Sequence, residues 1–362
     1  MITLDTDTAR ALGDAAERWA AEHYDLPRRA CRLRCAGGFD AATWGTYADL
    51  GWLALRVPEL EGGLDADVLA VGALMEVVGS RLLLEPILSS AIVATGLLVR
   101  LASPAQRERW LPALAAGRAV LAFADARSGC DWHAGALRGQ ARAVLHGDVA
   151  GAVVVAALDA ATQRPMLCLI EADPKAPLRR RAYRLVDGRG AADIDFDGLS
   201  PEVLAVDDDA AAGIAAALAE AAVAQCAEAL GCVRALLAAT REHLAMRQQF
   251  GRPLGANQVL QHRAVEMFML QEEIAAFTAQ AQQALALPGA ERDPVVAGAK
   301  AYVCRAARQV ANDAVQLHGG VGITEELPVS HHFRRLMVNA ALFGDRDAQF
   351  ARFLAGVGGG SR

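Results

Sequence analysis

Gln316-Leu317-His318-Gly319-Gly320-Val321-Gly322-Ile323-Thr324 is the stretch on which the fold turns. The residues leading into it carry apolar side chains at three-and-four spacing: Val296, Ala299, Val303, Ala307, Val310, Ala314 and Leu317. That is the buried stripe of a bundle helix, with Lys300, Arg308 and Asn312 falling elsewhere. The Gly-Gly pair removes two Cβ atoms where a backbone is able to lie against a flat or anionic ligand. Taken alone, such a pair is most often only a helix stop. Its companion is Arg247-Gln248-Gln249-Phe250-Gly251-Arg252-Pro253, a cation followed by a turn.

Working outward, the periodicity predicts helices over about 210–246, 257–286, 294–318 and 328–341, with a last one from about Asp345. Pro253 with Gly255, and Pro288 with Gly289, force short connections, so antiparallel neighbours in a four-helix bundle follow. Asp207-Asp208-Asp209 suits the positive end of the first of these helices. Towards the start of the chain the pattern is again helical, at Ala9–Glu22, Phe39–Leu50, Asp67–Val78, Ser89–Leu101 and Pro104–Ala116, with turn signals at Glu61-Gly62-Gly63 and Gly79-Ser80. Between the two helical regions the period changes. Ala119–Ala124, Ala141–Leu145, Ala152–Ala157, Met166–Ile170 and Ala192–Phe196 are short apolar or alternating runs, and read as strands. The fold class is therefore mainly α with a small β domain, divided as 1–118 (helical), 119–206 (β) and 207–362 (helical bundle).

Composition excludes several roles. A net charge of -6 with no basic run argues against nucleic acid. No basic, apolar leader opens the chain and no uninterrupted apolar segment reaches about 18 residues, so a soluble, cytoplasmic protein without a membrane partner is expected. Seven cysteines do not form a disulfide framework, and Cys31 and Cys35 lack a second ligand pair at metal-site spacing, so no metal is expected. His331 and His332 are adjacent on a helix and point in different directions, which suits partner contacts or surface.

The Arg247–Pro253 and Gln316–Thr324 motifs, in that order and at that separation, resemble the C-terminal domain of the acyl-CoA dehydrogenase family. Leu50-Gly51-Trp52 through Pro58-Glu59 and Gly62-Gly63 is similar to the loop of the family's N-terminal domain, and Glu85-Pro86 and Trp110-Leu111-Pro112 fit the helices that follow. The resemblance implies an N-terminal helical domain, a middle β-barrel and a C-terminal four-helix bundle. It also implies FAD as cofactor, an acyl-CoA substrate and an electron-transfer acceptor protein. In the family the ADP half of FAD is held by a neighbouring subunit, and the matching residues here are Arg247, Phe250, Gln258, Gln316, Gly319 and Gly320.

Oxidation between Cα and Cβ of a thioester needs a flavin, hydrogen bonds to the carbonyl and a carboxylate that takes the α proton. The register of the family's usual base falls on Phe343, which cannot accept a proton. The alternative base position, on the first bundle helix, falls on Ala221, with Glu220 beside it and Glu228 two turns on. Glu220 is the one weak catalytic candidate, and an ordinary exposed or capping glutamate is the competing reading for both. Asp345 and Asp347 stand where the family places neutral residues near the cofactor. The family's Thr-Glu-Pro stretch is replaced by Ala124-Asp125-Ala126-Arg127-Ser128-Gly129, nothing near Gly147–Gly151 matches its flavin-stacking tryptophan, and Trp132 is expected in a loop. Short chains of this look occur as pairs in heterotetramers acting on bulky CoA thioesters such as steroid side chains. The expectation is the non-catalytic member of such an α2β2 pair. A self-sufficient homo-oligomer using Glu220 and a redox-inactive scaffold are the alternatives.

Overall fold

Asp5 starts the first helix by accepting hydrogen bonds from the backbone N–H groups of Asp7 and Thr8, which an N-terminal turn leaves without helical partners. A computed structural model describes residues 5–127, 129–172, 178–249 and 251–358. The helices α1 (Thr6–His23), α2 (Leu26–Arg32), α3 (Ala41–Asp49) and α4 (Val68–Ser80) come first. A π-helical stretch, Ile87–Ala94, then runs into α5 (Thr95–Leu101). Ser103 and Gln106 form a capping box at the start of α6 (Pro104–Ala115), with Pro104 in the first turn as its fixed φ favours.

Eight strands follow: β1 (Leu121–Asp125), β2 (Cys130–His133), β3 (Ala136–Leu145), β4 (Ala152–Asp159), β5 (Pro165–Glu171), β6 (Arg179–Arg184), β7 (Gly190–Leu199) and β8 (Glu202–Val206). They make one mixed sheet in the order β6-β7-β3-β2-β4-β5-β8, with β1 pairing β4. The five expected strands are present. The other three carry little pattern: β2 is four residues long, and β6 and β8 lie at the sheet's ends, β6 reading Arg-Arg-Arg-Ala-Tyr-Arg. Trp132 is not in a loop. It sits in β2 opposite Leu137 and packs against the sheet core of Val153, Val155, Ile194 and Phe196. In the stretch before β2, Arg127 is paired with Asp125 at 2.7 Å, and Ser128 lies outside the described residues.

The 40-residue α7 (Asp207–Met246) opens on its three aspartates. A hairpin of β9 (Gln248–Gln249) and β10 (Arg252–Pro253) leads to α8 (Gln258–Ala284), α9 (Gly289–His318), a 3-10 turn over Gly319–Ile323, α10 (Pro328–Ala341) and α11 (Arg346–Gly358). By length and composition α7 resembles a membrane span, yet 72% of its most apolar window is buried by protein, as in a core helix. This is the mainly helical architecture with a central sheet that the sequence implied.

The described residues pack as two compact units. One holds the residues up to Arg28, Val68–Leu83 and those from Ala222 onward; the other holds Arg29–Asp67 and Leu84–Ala221. In the first, the expected stripe of α9 is buried from Val296 to Leu317, and meets Val233 and Leu236 of α7, Met267 and Ile274 of α8 and Leu336 of α10. Gly79 does not mark a turn there. It lies inside α4, where an added Cβ would stand 1.9 Å from the Glu228 carbonyl oxygen, and Gly231 of α7 is equally close to that of Glu76. The two glycines let α4 and α7 touch backbone to backbone.

Candidate cofactor site

Of the residues expected at a dinucleotide tail, Arg247 lies at the end of α7, Gln258 at the start of α8, and Gln316, Gly319 and Gly320 at the end of α9. Arg247 follows α7 directly: its N–H donates to the His243 carbonyl at 2.9 Å and its own carbonyl accepts from Leu254 N–H at 2.8 Å. The hairpin thus turns back onto the helix end and delivers Gln258 as the first residue of α8. Arg263 of α8 pairs with Asp313 of α9, which sets α8 beside the last turns of α9. There α9 closes on Gly319, with φ 66° and ψ -147° and its N–H on the Gln316 carbonyl.

Arg247, Gln258, Gln316, Gly319 and Gly320 are all exposed. The Arg247 guanidinium has no hydrogen-bond or ion-pair partner among the described residues. A Cβ added at Gly319 or Gly320 would meet no atom within 4 Å, whereas one at Gly322 would press on His318 Cβ and the Val315 carbonyl oxygen at 2.8 Å. Gly322 is thus demanded by internal packing and Gly319 by its backbone angle. Gly320 is demanded by neither. Phe250 lies outside the described residues.

Two residues to which the sequence assigned no role meet at this end. The imidazoles of His243, on α7, and His318, the last residue of α9, stack with centroids 4.4 Å apart and planes 28° apart. Burial, with His318 and Arg247, pushes the His243 pKa below its usual value.

The turn at the family's base register is built differently. Phe343 is half-buried with φ 54°. The amide of Gln349 donates to its carbonyl at 2.8 Å, and Lys300 Nζ donates to the Leu342 carbonyl at 2.5 Å and to the Gln225 side-chain oxygen. Lys300 was expected away from the buried stripe; it is 1% exposed, and burial lowers its pKa. Its signal was present in the sequence, because position 300 follows Val296 by four and precedes Val303 by three. Asp345 accepts from Ala348 N–H at 2.9 Å and so caps α11, and Asp347 pairs with Arg346 at 2.7 Å. No carboxylate belongs to Leu342, Phe343 or Gly344.

The two glutamates considered as bases are both engaged. Glu228 is neither exposed nor a cap: it is fully buried, 2.7 Å from the equally buried Arg335, and accepts from Asn339 at 3.0 Å. Glu220, in the other unit, is gripped by Arg56 at 3.0 and 3.1 Å and by Arg100, whose second nitrogen is 3.2 Å away. With two guanidiniums on its oxygens, Glu220 has little free lone-pair density to offer a substrate proton. Neighbouring Ala221 is fully buried.

His331 and His332 are not surface residues. They are 7% and 3% exposed, and His331 contacts Glu325 and Arg334. The helix is covered on both faces the histidines present, which no adjacent pair can reveal from sequence. Cys31 and Cys35 are free and exposed, while burial pushes the Cys130 and Cys168 thiols up to about 11 and about 12. Among the described residues no group of three or more His, Cys, Asp or Glu is placed to hold a metal.

Models of two domains match the chain: "Acyl-CoA dehydrogenase, N-terminal domain" over residues 6–118 and "Acyl-CoA dehydrogenase, C-terminal domain" over residues 212–357. The chain belongs to the acyl-CoA dehydrogenase family. Members of this family are oxidoreductases acting on CH–CH bonds. The acyl-CoA dehydrogenase IpdE2 of Mycolicibacterium smegmatis is 25% identical over 88% of this chain and 89% of its own. Among solved structures, the ChsE4-ChsE5 complex from Mycobacterium tuberculosis has a TM-score of 0.88 at 23% identity, covering 99% of both chains. A glutaryl-CoA dehydrogenase from Mycobacterium smegmatis in complex with FADH2 has a TM-score of 0.86 at 18% identity, covering 98% of this chain and 95% of that one. At these identities the solved structures speak to the fold.

Proposed function

We propose that this chain is a subunit of an FAD-dependent acyl-CoA dehydrogenase that completes a partner subunit's FAD site and carries no base of its own. The observation that supports it is the contrast between the exposed Arg247, without a side-chain partner among the described residues, with the bare Gly319-Gly320 pair, and the closed turn that presents Phe343. When bound, FAD supplies the acceptor for the hydride leaving Cβ of an acyl-CoA thioester.

The residues present fit its ADP half. Arg247 offers a permanent charge to the diphosphate, Gln258 and Gln316 offer amides to polar edges, and the Gly pair offers backbone without side chains. Phe250 belongs to the same proposal on sequence grounds. Removal of the α proton falls to a carboxylate of the partner, because Phe343 has none and Glu220 is held by Arg56 and Arg100. The ChsE4-ChsE5 relative is itself a complex of two chains, which supports a heteromeric partner, and an α2β2 assembly is the form proposed. A cytoplasmic location and an electron-transfer acceptor protein belong to the same proposal. So does the domain map 1–118, 119–206 and 207–362, most of whose first and last parts the two family models cover.

The test is co-expression with a second acyl-CoA dehydrogenase-like chain, followed by a flavin count and an acyl-CoA turnover assay with an artificial electron acceptor. One FAD per two chains, with turnover only in the pair, is expected. A chain that purifies alone with one FAD each and turns over acyl-CoA would overturn the proposal.

A further inference from the structure

An arginine at the end of one helix and a glycine pair at the end of another can serve one ligand only if the two ends keep a fixed spacing. Helix ends are where backbone order is weakest, since their last carbonyls lack helical partners. Here both ends are tied through one side-chain contact. The His243 carbonyl takes the N–H of Arg247, so the imidazole and the arginine share a turn, and His318 directly precedes Gly319. The two rings lie face to face at 4.4 Å.

The His318 ring is oriented from below. Its Nδ1 donates to the Ala314 carbonyl at 2.8 Å, and Gly322 folds so closely over its Cβ that no side chain fits there. His318 is 7% exposed, whereas His243 is half-buried and one turn before Arg247. We propose that His243 and His318 are positioning residues of the dinucleotide-tail site: their stack holds Arg247 of the α7 end in register with Gly319-Gly320 of the α9 end. This rests on the reading of that surface given above. The function of the pair is mechanical, so any flat ring at position 243 will serve, and its loss will loosen the site without unfolding the bundle.

The experiment is calorimetric titration of ADP into the full chain, purified with its partner where one co-purifies and freed of bound flavin beforehand, comparing wild type with Arg247→Ala, His243→Ala and His243→Phe, with a melting curve for each. Wild type is expected to bind ADP and Arg247→Ala to bind at least about tenfold more weakly, the loss of one charge-assisted contact. His243→Ala is expected to weaken binding about three- to tenfold, the usual worth of an aromatic pair, and His243→Phe to restore it to within about twofold. If wild type does not bind ADP, or Arg247→Ala binds as wild type, the dinucleotide-tail reading fails and the positioning role with it. If Arg247→Ala weakens binding but His243→Ala does not, the positioning role alone is wrong. Equal loss in His243→Phe and His243→Ala would also overturn it, showing that the imidazole acts through its nitrogens and not through stacking. Should His243→Ala melt early, His318→Ala read against His318→Phe repeats the comparison from the other ring.

Discussion

Two helix ends of the bundle unit meet the same geometric demand in opposite ways. After α9 the chain turns through Gly319 at φ 66°, and after α10 through Phe343 at φ 54°. In the first turn Gly319 and Gly320 have nothing within 4 Å of where side chains would stand, and across the His243–His318 stack lies Arg247, whose guanidinium has no partner among the described residues. The second is occupied from inside: Lys300 and Gln349 take the carbonyls of Leu342 and Phe343, and Asp345 caps the next helix. Exposed to solvent, Arg247 and the glycine backbone stay open to a group from outside the chain. A turn whose polar groups are already paired asks for nothing more.

The largest effect should come from the pair that fastens α10, and so the closed turn, to α7. Glu228→Ala strands the buried Arg335 charge, and about 3–5 kcal/mol of stability should be lost in urea unfolding. A loss under about 1 kcal/mol would mean that Arg335 finds another partner and that the turn does not depend on this pair. Next, Lys300→Met leaves the Leu342 carbonyl and the Gln225 oxygen without their donor, and should cost about 1–3 kcal/mol. It should also change the pH profile. The Lys300 pKa is lowered by burial from its ordinary 10.5, so below that value the unfolded chain binds more protons and wild-type stability rises towards pH 10.5. That rise should shrink in Lys300→Met, and an unchanged slope would show that Lys300 is not its source.

At the open end the effects should move from stability to binding. Arg247→Ala should leave the melting temperature in place while ADP affinity drops about tenfold, near 1.4 kcal/mol. His243 gives a smaller, pH-dependent effect. Its pKa lies below the ordinary 6.5, so as pH falls through 6.5 the unfolded chain takes up protons first and the folded state loses stability; His243→Phe should flatten that slope in melts between pH 7 and pH 5. Smallest of all is Gly320→Ala, expected within about 0.5 kcal/mol of wild-type stability because its Cβ meets nothing. If Gly320→Ala instead destabilises the bundle strongly, the open end is a packing feature and the contrast between the two turns disappears.

The stripe on α9, the proline and glycine breaks and the five stronger strands were legible because each depends on local spacing, which three-and-four or alternating apolar residues record. Charged or very short strands such as β6 and β2 leave no such record; they are strands because β7 and β3 hydrogen-bond to them. The residues of the candidate site were likewise readable as types, a cation, two amides and a glycine pair, and so was the absence of a carboxylate at Phe343. Which of them are open and which are filled was not. Sequence alone determined the longer helices, the apolar stripe and the phenylalanine at position 343, since these are properties of residues in order. Only tertiary structure decided that Glu220 and Glu228 are gripped by arginines, that Lys300 is buried under the Phe343 turn and that two histidines join the ends of α7 and α9. Each of these joins residues far apart in the chain, and burial and charge pairing are settled by which neighbours folding brings together.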